Sequence, residues 1–172
     1  MEPGYRIRHA RRSELGALPG IERLAAERFA DFGLVEVLSR IVTPVRLLRE
    51  RERAGQVWVA AGDDDQPIGF AVVSALDGNA HLDEVDVHPD HGRRGIGAAL
   101  VETACAWARS AGYHAITLST LRDVPWNAPF YVKLGFTILA ERELTQALRE
   151  LLESEARLGL PTEGRVLMRR DL

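Results

Sequence analysis

The stretch HPDHGRRGIGAALVETACAWARSAGY, His88 to Tyr113, restricts the folds open to this chain more than any other. Gly92, Gly95 and Gly97, with Arg93 and Arg94 between them, stand directly ahead of a run that is apolar on nearly every side from Ile96 to about Ser110. Such a run is a helix packed between other layers, and Gly112 is placed to end it. β-rich segments flank it: HLDEVDV before, closed by Pro89, and HAITLSTL after. Strand, glycine loop, helix and strand make a βαβ unit, whose two strands run parallel.

The other elements fit around that unit. YRIRHA alternates as a first strand, and Ile21, Leu24, Ala25, Arg28, Phe29 and Phe32 follow helical spacing. Thr43-Pro44 reads as a cap with proline at the first helical position, opening a second helix that stops near Gly55. QVWVAAG and PIGFAVVSAL are strands joined by the turn DDDQ. After the βαβ unit, PFYVKLGF predicts a short helix closed by Gly135, and FTILAERELT a strand. Leu144, Leu148, Leu151, Leu152, Glu155 and Leu158 mark an amphipathic helix, and GRVLMRRDL a last strand. This order predicts one mixed α/β sheet covered by helices, in a single domain spanning residues 1–172.

Composition narrows the function. The net charge of −3 mixes both signs along the chain, with no basic stripe for a phosphate backbone, so nucleic acid is not expected as a partner. No apolar run approaches the roughly 20 residues that span a bilayer, and the start lacks an apolar signal core. A cytoplasmic chain is expected. The single cysteine, Cys105, lies in ETACAWA, the setting of a small buried residue rather than an activated thiolate.

The glycine loop suits an anion. A helix N-terminus presents unpaired N–H groups and a partial positive charge, and arginines at its rim suit a pyrophosphate. The loop is neither of two familiar types. A triphosphate P-loop needs lysine and a hydroxyl residue after its last glycine, whereas Ala98 and Ala99 follow Gly97. A dinucleotide fingerprint counted from Gly95 needs a small residue where Leu100 stands.

VDVHPDHGRRGIGAALVE resembles the acetyl-coenzyme A signature of the GNAT acetyltransferase superfamily, and NAPFYVKLGF resembles its second signature. With the order of elements, the resemblance covers nearly the whole chain. It implies a mixed, mostly antiparallel sheet with a central parallel βαβ unit and covering helices. It also implies direct acetyl transfer from acetyl-coenzyme A to an amine in a ternary complex, with no metal. Cofactor contacts carry over to the backbone of Arg93, Arg94, Gly95, Ile96, Gly97 and Ala98 for the pyrophosphate. Those to Val85 and Val87 hold the pantetheine arm as an added strand, and Asn127 is a further contact. In this chain Gly92 and Arg93 are transposed relative to the usual Arg-Gly order, so Gly92 stands where arginine or glutamine is common.

Amine acetylation needs a proton removed from an amine whose pKa is roughly 10, and an acid for the departing thiolate. On an alternating strand Glu84 and Asp86 share one face while Asp83 shares the other with Val85. His81 and these carboxylates are the candidate bases, and Glu84 is favoured. Tyr131 is the candidate acid, in keeping with the tyrosine the family places there. Asp86, His88, Asp90 and His91 could ligate a metal, but no paired spacing typical of zinc is completed elsewhere.

The acceptor is expected to be a small-molecule amine. Phe29, Phe32, Trp58 and Trp126 are candidates to line its slot, and the late helix either lids the site or packs against a second subunit in a homodimer. The alternative reading is a non-catalytic acyl-coenzyme A binding or sensing module of the same fold.

Overall fold

The computed structural model describes residues 4–172. Its strands are β1 (Arg6–His9), β2 (Val57–Ala61), β3 (Pro67–Leu76), β4 (Asn79–Val87), β5 (Ala115–Leu121), β6 (Thr137–Ile138) and β7 (Arg165–Asp171). Its α-helices are α1 (Leu18–Ala26), α2 (Val35–Arg40), α3 (Val45–Arg53), α4 (Ile96–Ser110), α5 (Ala128–Lys133) and α6 (Gln146–Leu158). The strand order is β1-β2-β3-β4-β5-β7-β6. β4 and β5 pair in parallel across α4, while β1/β2, β2/β3, β5/β7 and β6/β7 are antiparallel. The sheet is thus mixed and mostly antiparallel, with the parallel pair where the βαβ unit predicted it.

Contacts divide the chain into two compact units. The first runs through Val73 and adds Glu84–Ala104; the second is Ser74–Asp83 with Cys105–Leu172. In the first, Leu15, Leu18, Ile21 and Leu48 form one core with Val57, Val59, Phe70 and Val72. All five residues of β2 are buried, as a strand covered on both faces requires. In the second, Ile116, Leu118, Phe136, Leu148 and Met168 are buried. α6 begins at the N-cap Thr145, whose hydroxyl accepts from the Leu148 amide, and it is tied to β5 by the Ser119 hydroxyl donating to Glu155 at 2.8 Å. Arg165 lies 3.8 Å from the same carboxylate, which burial holds above its usual range.

Three local expectations change. The helix before Gly55 starts at Val45 with Pro44 as its N-cap, because the Thr43 amide and hydroxyl are both directed at Glu22. A short helix, α2, precedes it without a capping side chain, the signal a sequence would need to show it. The strand expected over FTILAERELT is only Thr137–Ile138. The Ala140 amide instead donates to the Glu143 carboxylate, turning the chain into a 3-10 segment (Glu141–Glu143) ahead of the Thr145 cap.

Where β4 enters the parallel ladder, the buried His81 places Nδ1 2.8 Å from the Thr117 hydroxyl. Burial pushes its imidazole down to about 4. The unfolded chain binds that proton near pH 6.5 and the folded chain does not, so His81 costs stability as pH falls from about 6.5 towards 4. Urea unfolding of the wild type and His81→Asn at pH 7 and pH 4.5 checks this. The wild type should lose about 2 kcal/mol more than the variant between the two pH values.

Candidate active site

β4 runs from the parallel ladder into the glycine loop, and its two halves do different work. Its pairs with β5 are Ala80 with Ile116 and His81 with Thr117. Glu84, Val85, Asp86 and Val87 follow, all half-buried. Alternation sends Glu84 and Asp86 to one face, where α1 brings a third carboxylate, Glu22. One oxygen from each of the three lies within 4.8 Å of the others.

Glu22 is nearly fully buried on the face of α1 that also carries Leu18, Ile21 and Ala25. The Thr43 amide donates to one of its oxygens at 2.9 Å, and the Thr43 hydroxyl lies 3.5 Å from the other. Burial raises all three carboxyls above their usual range. For Glu84 the charges of Asp86 and Glu22 add to that rise, and for Asp86 the charge of Glu22 does. Crowded like charges away from water cannot all ionise, so the cluster retains protons at pH values where an ordinary carboxylate has none. Three carboxylates are also an oxygen donor set of the kind hard cations take, and among the described residues this is the place where three such ligand atoms converge.

Sequence reasoning paired Glu84 with Asp86 and missed Glu22. The available signal was a glutamate at position i+4 from Leu18 and i−3 from Ala25, inside the apolar stripe of an amphipathic helix.

Beyond Val87 the chain makes one 3-10 turn (Pro89–His91) before the loop. Gly92 takes φ −62° and ψ 159°, a conformation open to any residue, whereas Arg93 has φ 62° and Gly95 φ 77°. The transposition therefore puts a side chain at a left-handed position, costing roughly 1–2 kcal/mol, while Gly92 sits where a Cβ would lie 3.3 Å from the Pro89 carbonyl oxygen. The Ala99 amide bonds the Gly95 carbonyl, so Ile96, Gly97 and Ala98 are the first-turn amides that have no acceptor within α4. Arg93 is exposed. Arg94 is engaged locally, one terminal nitrogen 3.0 Å from His91 Nδ1 and the other donating to the Gly4 carbonyl at 3.3 Å.

The four candidate metal ligands are not brought together as a set. Asp86 joins the carboxylate cluster, His88 accepts from the Asp90 amide and lies 3.9 Å from its carboxylate, and His91 faces Arg94. Asp83 accepts from the Ser74 hydroxyl at 2.8 Å, and His81 is committed to Thr117. Trp58, expected in an acceptor slot, is a core residue stacked 5.3 Å from His9. Cys105 is fully buried and receives an Arg170 guanidinium N–H at 3.7 Å.

In the second unit Tyr131 lies on α5, half-buried and edge-on to Phe130 at 5.0 Å and Phe136 at 5.7 Å. Asn127 is the N-cap residue of that helix, and its side chain makes no capping bond.

The acetyltransferase (GNAT) family pattern matches residues 21–136, from α1 through the corner after α5. The chain belongs to this family. It is an acetyltransferase, and acetyl-coenzyme A is the family's acyl donor. It is 28% identical over 138 residues to the peptidyl-lysine N-acetyltransferase YjaB of Escherichia coli K12, covering 80% of this chain and 86% of that protein. The Salmonella typhimurium protein of the same name is 31% identical over 88 residues, 51% of this chain and 54% of that one. The fold is similar to that of the PaiA N-acetyltransferase from Thermoplasma acidophilum, solved with coenzyme A. The TM-score is 0.72 at 17% identity, and both chains are fully covered.

If Glu22 helps hold protons on its two neighbours, Glu22→Gln removes a like charge and Glu84 and Asp86 should ionise at lower pH. Carbon-13 NMR of the carboxyl groups measures this directly. Unchanged titration of both would show that burial alone sets them.

Proposed function

We propose that the chain moves an acetyl group from acetyl-coenzyme A to a primary alkylamine by direct attack in a ternary complex. The observation that carries this reading is the continuity of β4. One strand holds Glu84 and Asp86 beside Glu22 and leads into a loop with the first-turn amides of α4 unspent.

In this reading Arg93, Arg94, Gly95, Ile96, Gly97 and Ala98 hold the pyrophosphate through backbone N–H groups, and exposed Arg93 adds charge from the side. The backbone of Val85 and Val87 receives the pantetheine amides as an added strand, and Asn127 contributes a further polar contact. The acceptor arrives as an ammonium, drawn to the carboxylate cluster. Glu84, in its ionised form, takes one proton, the free amine nitrogen bonds to the thioester carbonyl carbon, the carbon–sulfur bond breaks, and Tyr131 gives its phenolic proton to the leaving thiolate; the second proton, shed by the nitrogen as the amide forms, returns to the phenolate. A phenol with a pKa of about 10 can protonate a thiolate whose acid has a pKa of roughly 8.5 only as the charge develops, which makes it an acid that is not spent beforehand. No metal enters this scheme.

A small-molecule amine is the acceptor in our reading. A second reading, a lysine side chain in a protein, is favoured by the likeness to YjaB and uses the same alkylammonium chemistry. A cytoplasmic setting fits the described residues, none of whose helices is long and apolar enough to cross a membrane. A homodimer would use the outer end of α6, where Leu158 is 64% exposed.

Thiol release from acetyl-coenzyme A with a panel of small primary amines and a lysine peptide tests the proposal. Tyr131→Phe should lower kcat by well over about tenfold with little change in cofactor affinity. Glu84→Gln should lower kcat/KM and flatten its rise with pH. Turnover untouched by Tyr131→Phe would remove that residue from the mechanism, and a lysine peptide preferred over every small amine would decide for the second reading.

A further inference from the structure

The second unit contains a cavity of about 180 Å³, none of whose lining residues belongs to the loop or the carboxylate cluster. Its polar side is a row across three strands. Thr117 is paired with His81 in the β4/β5 ladder and with Arg169 in the β5/β7 ladder. Directly paired residues present their side chains on one face, and Asn79, two residues before His81, shares it. Asn79, Thr117 and Arg169 line the cavity together, with Leu139 and Leu148 supplying apolar surface from the segment that leads into and begins α6.

Beyond one internal pair, the row's polar groups are open to solvent. His81 and Thr117 satisfy one another. Arg169 donates through Nε to Asp171, which leaves its two terminal nitrogens without a partner among the described residues. The Asn79 amide and the Asp77 carboxylate, the latter on the turn between β3 and β4, likewise have none. The volume is that of roughly six waters and lies below the about 300–1,000 Å³ typical of larger organic ligands. A guanidinium fork, two carboxylates (Asp77 and Glu143, the latter already accepting from the Ala140 amide), an amide and three leucines around so small a space complement a molecule with one carboxylate, one ammonium and a short aliphatic body.

We propose that this cavity is a second ligand site, which takes a small aliphatic α-amino acid, its carboxylate on Arg169 and its ammonium on Asp77 and the Asn79 carbonyl oxygen. The proposal stands apart from the transfer reaction, since it uses no residue assigned to it.

Calorimetric titration at millimolar concentration with L-valine, isobutyrate and isobutylamine, on the wild type, Asp77→Asn and Arg169→Gln, tests it. Asn tolerates the positive φ of position 77, so Asp77→Asn keeps the turn even if Arg169→Gln perturbs β7. Saturable binding of L-valine is expected. Each fragment, and L-valine on Asp77→Asn, should bind about tenfold more weakly, the size of one lost charge-assisted hydrogen bond. No binding of L-valine would overturn the proposal and leave the cavity to water. Binding that both variants leave intact would also overturn it, by placing the amino acid elsewhere on the chain, the acceptor site included.

Discussion

The site depends on a missing side chain at Gly69. A Cβ there would lie 3.0 Å from the Asp86 carbonyl oxygen, 3.3 Å from Ile96 Cγ2 and 3.4 Å from Leu100 Cδ1. Two of those contacts are closer than real Cβ atoms comfortably make, and the first is to backbone, which cannot swing aside. Glycine at this point of β3 therefore lets one strand close simultaneously on the residue that carries a clustered carboxylate and on the first residue of α4. The position of Asp86 and the start of the helix are set by the same close packing, and the loop between them inherits its span.

That packing puts two opposite electrostatic environments along one stretch of chain. On the β4 face, Glu22, Glu84 and Asp86 converge, and burial with like charge raises their carboxyls above the ordinary carboxylate range. A few residues later, the first-turn amides of α4 and the exposed Arg93 make a region that favours negative charge. A reaction that binds a polyanion and deprotonates a cation needs both, held at a fixed spacing. Mounting them on one strand and the helix that follows supplies that spacing without a long loop.

Much of this was legible in the sequence, and the remainder was not for identifiable reasons. The βαβ unit was visible because an all-round apolar helix between two β-rich runs has few other solutions. The Glu84/Asp86 face followed from strand periodicity alone. Glu22 was hidden because its role depends on a strand more than sixty residues away, and local spacing records only that it lies on an apolar stripe. The shortness of β6 was a competition between β propensity in FTIL and the capping groups Glu143 and Thr145, decided by hydrogen bonds that propensity does not weigh. Gly92 and Arg93 read as a transposed pair, and the backbone takes its left-handed turn at position 93 with arginine in place of glycine, which no residue order alone displays.

In the proposed function the loop from Gly92 to Ala98 receives coenzyme A rather than merely turning the chain. The most direct measurement is the Tm of the protein with millimolar acetyl-coenzyme A, set beside an equal concentration of ATP. A ligand at about 100 times its Kd adds roughly 2.7 kcal/mol, an upward shift of several degrees in a domain of this size. That shift is expected with acetyl-coenzyme A, and little with ATP. An unchanged Tm with acetyl-coenzyme A, or an equal rise with both, would contradict it.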